Sequence, residues 1–441
     1  MNNYDESLEK HIRVYVNRCE YFLGDGRTEI YSEGIVSEDT KKRYILIKDA
    51  FKNGFLDTLI EDLKLSKITI TPSKISYKTQ ENLKQLVGSV TSEIGRALVG
   101  LTVMQLSIKA IDSNQSIRLH KASPNRNSFS WVNGISMRSL DRDYVTPILR
   151  KHDLLHLNAD GFMMTRSLAE NYPYTDLYKA QLRGAKIQWL SIVEELENNA
   201  TDPIESLKYL LSLLLNSAQD FSNKTNELIT LANEKLKVFK TQNIVESFMK
   251  SHIEISGYAA RLLEISMHTL LQAIEENNSL GDLNLAPLSQ MRSANKKHGN
   301  IGDIELIDNG EIIEAWDAKY GKGYLREEIE EISEKLSKHN HVSLVGFVTT
   351  VPTVQNNELN KRVNELEEYT GVNIKILQYS DWVNVMYKRC LEFQLVNEEK
   401  LSKDWFMAYV LTISQRKRNI APIDEPCFEW VVALKKTLEQ Y

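Results

Sequence analysis

Apolar residues recur every three to four positions along most of the first ninety-five residues. Segments such as DAFKNGFLDTLIEDLKL and ENLKQLVGSV have this spacing, which predicts amphipathic helices. Proline and glycine, which interrupt helices, are sparse in this part of the chain. We therefore predict a mostly helical N-terminal domain over residues 1–95, to which the sequence assigns no chemistry.

A second helical pattern covers residues 187–245. The segment DPIESLKYLLSLLLNSAQ opens with Asp202 as a candidate N-cap and Pro203 at the first helical position. NELITLANEKLKVF continues with the same spacing of apolar residues. These residues are predicted to form a helical connector, whose apolar side chains are core positions of a bundle.

The pattern changes after residue 246. A helix, YAARLLEISMHTLLQAIEE, precedes four strand-like segments, IGDIELID, EIIEAWDAKY, VSLVGFVTT and VNIKILQY. Two charged helices, REEIEEISEKLSKH and NELNKRVNELEEYTG, separate the later strands and are predicted to present solvated faces. This order predicts an α/β domain with a mixed sheet over residues 246–395. Residues 396–441 are predicted to be a helical extension, which makes the whole chain an α+β multidomain protein.

Composition narrows the class of protein. The chain has 441 residues, 42% hydrophobic and 26% charged, which indicates several folded domains rather than disorder. Its three cysteines, Cys19, Cys390 and Cys427, are far apart, which excludes a cysteine-built zinc site and fits a reducing compartment. The N-terminus lacks the apolar core of a signal peptide, and we find no apolar run near the ~18–20 residues of a membrane span. We predict a cytoplasmic protein without a membrane partner.

Charge is distributed unevenly along the chain. Residues 117–186 hold eleven Lys or Arg and six Asp or Glu, which gives +5 within a chain of net charge −6. The remaining residues therefore sum to −11. A basic block in an acidic chain indicates a local surface for a polyanion such as nucleic acid.

The basic block has the order of elements that is typical of a winged helix. Ser139 can cap a helix through LDRDYVTPILRKHDLL, bent at Pro147, and LHLNADGFMMT then reads as a short hairpin. We predict a DNA-recognition region over residues 96–186; an ordinary subdomain with a moderately basic surface is the alternative. The predicted DNA-contacting residues are Arg118, Lys121, Arg126, Arg138, Arg142, Arg150, Lys151 and Arg166.

Candidate catalytic residues lie in the first two predicted strands after residue 300. Asn309-Gly310 is a strong signal for a hairpin turn between them. Asp317 and Lys319 are two apart on one strand and so project from the same face, while Asp303 lies on the partner strand. Two carboxylates and one ammonium then converge. Carboxylate oxygens are suitable ligands for Mg²⁺, and a lysine can orient water and stabilise charge during phosphodiester hydrolysis.

This arrangement resembles the PD-(D/E)XK nuclease superfamily, typified by restriction endonucleases. Gly302-Asp303 matches the first acidic motif and Asp317-Ala318-Lys319 the second, and the resemblance covers roughly residues 246–390. It implies that Asp303 and Asp317 bind Mg²⁺, that Lys319 positions the attacking water, and that Glu264 on the preceding helix supports the metal or its water. The sequence departs from the family where glycine replaces the proline of the first motif and Asp replaces the commoner Glu before the lysine. Glu314 is expected on the opposite face of the strand.

Together these features predict a type II-like restriction endonuclease that cuts double-stranded DNA with Mg²⁺. Such an enzyme belongs to a restriction–modification system and has a cognate methyltransferase as its functional partner. One active centre per chain predicts a homodimer, at least on DNA. The alternatives are a modification-dependent or repair endonuclease of the same fold, and a non-catalytic DNA-binding protein with a nuclease-like domain. A methyltransferase is disfavoured because no Gly-rich loop follows a strand.

Overall fold

The chain folds as two compact units, residues 1–220 and 221–441. The finer domain boundaries drawn from the sequence stay predictions. The computed structural model describes residues 9–90, 93–123, 128–155, 166–182, 184–288, 300–337, 339, 341–353, 357–419 and 425–441, with 93, 166 and 416–419 described by backbone alone.

The first unit combines a small antiparallel sheet with helices. Its strands and α-helices are β1 (His11–Val14), β2 (Arg18–Phe22), β3 (Thr28–Ser32), α1 (Glu38–Lys52), α2 (Phe55–Lys64), α3 (Tyr77–Gly88), α4 (Glu93–Ile111), α5 (Met137–Leu140), α6 (Thr146–Lys151), α7 (Lys186–Glu197) and the first part of α8 (Pro203–Lys235). Single turns of 3₁₀ helix lie at Pro72–Lys74 and Arg166–Leu168. The start of α8 is as predicted, because Pro203 is its first residue and Asp202 Oδ1 accepts a hydrogen bond from the Glu205 amide.

The N-terminal sheet was not predicted in a first domain that was expected to be mostly helical. Strands β1, β2 and β3 pair in that order, each antiparallel to the next. Along β2 the buried side chains are Cys19 and Tyr21, two positions apart, which is the period of a strand. Gly24 and Gly26, both with positive φ, form the turn into β3. The strands are short and largely polar, so their alternation was hidden beside the helical segments that follow.

Helix α4 contradicts the prediction that no apolar run approaches the length of a membrane span. Its segment Ile94–Ile111 is long and apolar enough to cross a membrane by length and composition. However, 83% of that segment is buried inside the fold. It packs with Trp189 of α7 and Leu207 of α8 in the main core of the first unit. The helix therefore has the burial of a central core helix, which is apolar on all sides.

The predicted recognition helix is present but irregular. It runs from Met137 to Lys151 as α5, a π-helical turn at Asp141–Val145, and α6. Pro147 follows the π-helical turn as the second residue of α6, where its missing amide hydrogen is tolerated. The predicted wing falls almost wholly on residues 156–165, which lie outside the described residues. The winged-helix assignment stays a prediction.

The second unit is a mixed sheet flanked by helices. Its elements are the rest of α8, then α9 (Gln242–Ile255), α10 (Ala259–Glu276), β4 (Asn284–Leu285), β5 (Ile304–Asp308), β6 (Glu311–Lys319), α11 (Arg326–Leu336), β7 (Leu344–Thr349), α12 (Asn357–Thr370), β8 (Asn373–Gln378), α13 (Tyr379–Glu392), α14 (Glu398–Asn419) and α15 (Cys427–Leu438). The predicted order of strand, strand, helix, strand, helix, strand from β5 to β8 is confirmed. The two-residue strand β4 was not predicted.

The sheet has the strand order β4-β5-β6-β7-β8. Its first three strands are antiparallel neighbours, and β6, β7 and β8 run parallel. Each face of the sheet has its own core. Trp316 packs with α10, α13, α14 and α15 on one face, whereas Ala315 packs with α11 and α12 on the other. Strand β6 is therefore central, and its successive side chains enter different cores.

Candidate active site

The hairpin of β5 and β6 positions the candidate residues. Asn309 and Gly310 both have positive φ, 48° and 88°, which is the backbone required of a tight hairpin turn with matching twist. Ile304 is opposite Trp316 in the antiparallel register. Asp303, one residue before Ile304, is therefore beside Asp317. The hairpin predicted from Asn309-Gly310 is confirmed.

A backbone hydrogen bond fixes the first carboxylate. Asp303 Oδ2 accepts from the amide of Ala318 at 3.0 Å, which holds the side chain across the end of β6. The chain before it passes close to Trp316, since a Cβ on Gly302 would lie 2.7 Å from the Trp316 carbonyl oxygen. Glu305 accepts from the amide of Ile301 at 2.7 Å and so shapes the same turn. The glycine before Asp303 is thus required by close packing of two backbones.

Asp317 and Lys319 lie on one face of β6. The Lys319 ammonium is 2.7 Å from Asp317 Oδ2, and the two side chains are 22% and 13% exposed. Ala318, between them, packs against the core on the opposite face, as predicted. The alternation of a strand thus separates the polar pair from the apolar residues that anchor the strand.

The charges of Asp317, Asp303 and Lys319 are not balanced. Burial raises the pKa of Asp317 to about 7, and the nearby Asp303 carboxylate adds to the rise while Lys319 opposes it. Burial works to lower the pKa of Lys319, but the charges of Asp317, Asp303 and Glu328 outweigh it and raise that pKa. One ammonium therefore does not fully compensate two adjacent carboxylates, and the site favours an additional positive charge.

That excess of negative charge fits a divalent metal ion. Two carboxylates that repel each other in a partly buried site are the oxygen donors that Mg²⁺ takes from proteins, with water or phosphate completing its shell. Among the described residues, no group of three or more His, Cys, Asp or Glu side chains is arranged to hold a metal. The candidate ligands are therefore the pair Asp303 and Asp317, the small protein contribution that is usual for Mg²⁺.

Glu328 is a nearby residue that the sequence reasoning missed. It lies in the first turn of α11, is 9% exposed, and forms an ion pair with Lys322. Its charge also contributes to the pKa of Lys319. The expectation that this helix presents only a solvated face is wrong for Glu328. The signal was the apolar spacing of Leu325, Ile329 and Ile332, which turns the adjacent Glu328 inward.

Glu314 and Glu264 are held by other partners. Glu314 accepts from the Trp316 indole at 2.6 Å and pairs with Arg389 at 2.8 Å, in agreement with its predicted position on the opposite face. Glu264 lies on α10, is 8% exposed, and pairs with Arg261. Arg261 also binds Glu425 at 2.7 Å, so the three side chains form a buried network. The role of Glu264 in supporting a metal stays a prediction.

Arg118 is not on the surface, which corrects its assignment as a DNA contact. It is 1% exposed, and its guanidinium donates to both carboxylate oxygens of Glu194 at 3.0 and 2.9 Å. It also donates to the carbonyl of Tyr174 at 2.9 Å. A buried guanidinium bound in this way has a structural role. Its basic character alone gave no sign of burial, since Glu194 is 76 residues away along the chain.

The other predicted DNA contacts have varied environments. Lys121 is half-buried and donates to Asn171. Arg142 pairs with Asp143 at 2.7 Å and Lys151 with Asp57 at 2.8 Å, both at the surface. Arg138 and Arg150 are also exposed, Arg126 lies outside the described residues, and the side chain of Arg166 is not described. DNA contact by these residues stays a prediction.

Comparison with known proteins does not assign the chain. No protein-family model matches it, and curated proteins give no significant match. The geometry and charge of the site itself are therefore the basis for assigning a function.

Proposed function

We propose that this chain is a Mg²⁺-dependent endonuclease that hydrolyses double-stranded DNA in the manner of a type II restriction enzyme. One observation carries the proposal: Asp303 and Asp317 meet at the end of one hairpin, with the Lys319 ammonium 2.7 Å from Asp317. The opposition of Asp303 to Asp317 across β5 and β6 supports the resemblance to PD-(D/E)XK nucleases.

Each residue has a defined task in this mechanism. Asp303 and Asp317 would hold the Mg²⁺ ion, and the Ala318 amide keeps Asp303 in position. Bound Mg²⁺ supplies positive charge that polarises the phosphate and lowers the pKa of a bound water. The Lys319 ammonium, held by Asp317, orients the attacking water and stabilises the negative charge of the transition state. Asp317 and Asp303 raise the pKa of Lys319, and the charge of Glu328 adds a smaller share that favours the ammonium form.

We further propose that the substrate of this hydrolysis is double-stranded DNA with a specific sequence. The excess of basic residues at 117–186 supports recognition of DNA by the first unit. Double-strand cleavage needs two active centres, and one hairpin site per chain therefore implies a homodimer on DNA. A restriction enzyme of this kind acts beside a cognate methyltransferase and in the cytoplasm.

Digestion of plasmid DNA tests the proposal. The full chain with Mg²⁺ should produce discrete fragments whose sequenced ends share one site, and EDTA should prevent cleavage. Asp317→Ala and Lys319→Ala should each abolish cleavage while DNA retention in EDTA persists. Glu311→Ala is the matched control, because Glu311 is an exposed acid at the other end of β6.

Each outcome discriminates between the candidate functions. Full cleavage by either active-site variant would exclude this site. Digestion restricted to methylated plasmid would indicate the modification-dependent alternative. Specific DNA retention without digestion under any divalent metal would indicate a non-catalytic DNA-binding protein.

A further inference from the structure

The first unit has a cleft lined by apolar, aromatic and charged side chains. It has a volume of about 560 Å³ and is lined by Val14, Glu33, Lys121, Phe129, Glu170 and Tyr172, among others. A second cavity of about 240 Å³ shares Lys121 and Phe129 with it and adds His120 and Arg138. The two cavities are therefore adjacent, and together they are called the recess below. Its size is in the range of pockets that bind small planar ligands.

Two aromatic rings of the lining, Phe129 and Tyr172, each lie beside a lysine. The Lys121 ammonium lies 5.8 Å from the centre of the Phe129 ring, and Lys179 lies 5.3 Å from that of Tyr172. Phe129 also packs edge-on against the buried Trp131, which holds its ring in place. Aromatic faces beside lysines are the features with which proteins bind single nucleotides, because rings stack on the base and ammonium groups contact phosphate.

His120 gives the recess an unused hydrogen-bonding group. It is 2% exposed and stacks on Tyr174 with ring centres 4.4 Å apart. Neither ring nitrogen makes a well-formed hydrogen bond, although the backbone of Ala169 and Glu170 lies nearby. Burial, with a smaller effect of Lys121, lowers the pKa of His120 to about 3, so the ring is neutral. A buried neutral imidazole then offers one donor and one acceptor to a ligand.

The turn between β1 and β2 borders the cleft. Val16 in this turn is 99% exposed, and Val14, two residues earlier, lines the cleft. The carbonyl of Asn17 accepts from the amide of Glu33 at 2.8 Å, which connects the turn to the opposite wall. The guanidinium of Arg18 lies 4.2 Å from the centre of the Tyr15 ring. An exposed apolar residue beside cations has the form of the wedges that proteins insert between DNA bases.

We propose that this recess binds one nucleobase unstacked from double-stranded DNA, while Val16 occupies the space left in the base stack. Phe129 and Tyr172 contact the faces of the base, His120 contacts its polar edge, and Lys121 contacts the neighbouring phosphate. The inference rests on the proposed function in so far as DNA is the partner. It adds a site of base recognition outside the predicted helix and wing.

Binding to duplexes with one unpaired base tests the inference. The central base is A, C, G or T, placed opposite either its complement or an abasic site, and affinities are measured in EDTA by fluorescence anisotropy. An unpaired base is less costly to unstack. We expect at least one of the four bases to bind about tenfold or more tightly opposite the abasic site. 2-Aminopurine at that position should report a change in stacking when the protein binds.

Two recess variants and two control variants test whether the preference for an unpaired base arises in the recess. Val16→Ser and Tyr172→Leu should remove the preference for the unpaired base and keep binding to the matched duplex. Ile187→Ser and Tyr77→Leu are the controls, because both residues are 79% exposed and neither lines the recess. Val16 is fully exposed, so its variant should fold normally.

Specific results would overturn the inference. These are equal affinity for paired and unpaired bases, a preference that survives both recess variants, or no DNA binding at all. Plasmid digestion with Mg²⁺ is scored separately. A chain that cuts DNA but shows no preference would refute base unstacking alone, whereas a preference without cleavage would refute the nuclease proposal alone.

Discussion

The two units each bury a cluster of charged side chains, and the clusters differ in how far positive and negative charges compensate each other. In the first unit, Arg118 makes a two-pronged ion pair with Glu194 and a further bond to the Tyr174 carbonyl. In the second, Asp303 and Asp317 share one ammonium from Lys319, and the pKa of Asp317 rises to about 7 because of burial and Asp303. The first cluster is matched by its own residues, whereas the second carries excess negative charge.

This difference distinguishes charged side chains that stabilise the fold from charged side chains that bind a ligand or take part in catalysis. A buried, two-pronged ion pair between opposite charges holds elements together and needs no ligand. A buried pair of like charges is costly in the free protein and is stabilised when a cation binds. The contrast predicts that variants of the first cluster mainly lower stability, while variants of the second mainly change activity.

The largest expected effect is on stability, from Arg118→Met. The substitution leaves Glu194 buried without its partner and should lower the free energy of unfolding by about 3–5 kcal/mol. Urea denaturation measures the change. Arg142→Ala, which breaks the exposed pair with Asp143, should cost under about 0.5 kcal/mol. A small loss for Arg118→Met would contradict a structural role.

The next effect is on catalysis, from Lys319→Met. Loss of the ammonium should reduce the cleavage rate by about 10²–10³-fold, or about 3–4 kcal/mol in the barrier. Stability should fall less than in Arg118→Met, because the Lys319 and Asp317 side chains are partly exposed, at 22% and 13%, whereas Arg118 is 1% exposed. Single-turnover cleavage and urea denaturation of the same preparation make the comparison. If activity and stability fell together, the proposed separation of roles would fail.

A smaller effect, an increase in stability, is expected from Asp317→Asn when no metal is bound. In the native protein the ionised Asp317 is disfavoured, so stability should fall as pH rises from about 4 through about 7. The asparagine carries no such penalty. The variant should therefore be more stable by about 1–2 kcal/mol at pH 8 and equal to the native protein at pH 4.

Thermal unfolding in EDTA from pH 4 to pH 8 measures this difference, with Asp308→Asn on the same hairpin as control. Adding Mg²⁺ should stabilise the native protein above pH 7 and leave the Asp317→Asn variant nearly unchanged. A constant stability difference across the pH range would exclude titration of Asp317 as its source.

The smallest expected effect concerns the hairpin turn. Gly310 has φ of 88° and open space around its missing side chain, so Gly310→Ala introduces backbone strain without a clash. The cost should be about 1 kcal/mol in urea denaturation. Cleavage should persist, because the turn is at the opposite end of β6 from Asp317. Loss of cleavage with this small cost would show that the site depends on the exact register of the hairpin.

Sequence patterns predicted the second unit better than the first, for a physical reason. The hairpin, its Asn309-Gly310 turn and the convergence of Asp303, Asp317 and Lys319 all lie within one seventeen-residue segment. Strands β1, β2 and β3 also pair locally, but they are short and largely polar, so their pattern was not recognised. The burial of Arg118, by contrast, depends on Glu194 and Tyr174, which are distant along the chain. Local spacing carries no information about such partners, so basic residues of the first unit could not be divided into buried and exposed.

Glu328 and α4 were missed for related reasons. The many charges of α11 suggested a solvated helix, although the apolar spacing of Leu325, Ile329 and Ile332 places Glu328 on the inward side, beside Lys322. In α4 the polar residues that interrupt the apolar run are themselves buried, such as Thr102 and Gln105. Gln105 is satisfied by the Trp189 indole and the Ile117 carbonyl. Burial of polar residues in this way is decided by tertiary partners.

The hairpin has a consequence for how the protein folds. Asp303 and Lys319 are the ends of a seventeen-residue segment, and a β-hairpin closes in roughly 1–10 μs. Strands β7 and β8 join through helical crossovers and so require slower, longer-range contacts. The acidic pair can therefore come together before the sheet that buries it is complete. A metal ion present during synthesis would then relieve the repulsion between the two carboxylates early, and refolding should be faster with Mg²⁺ than with EDTA.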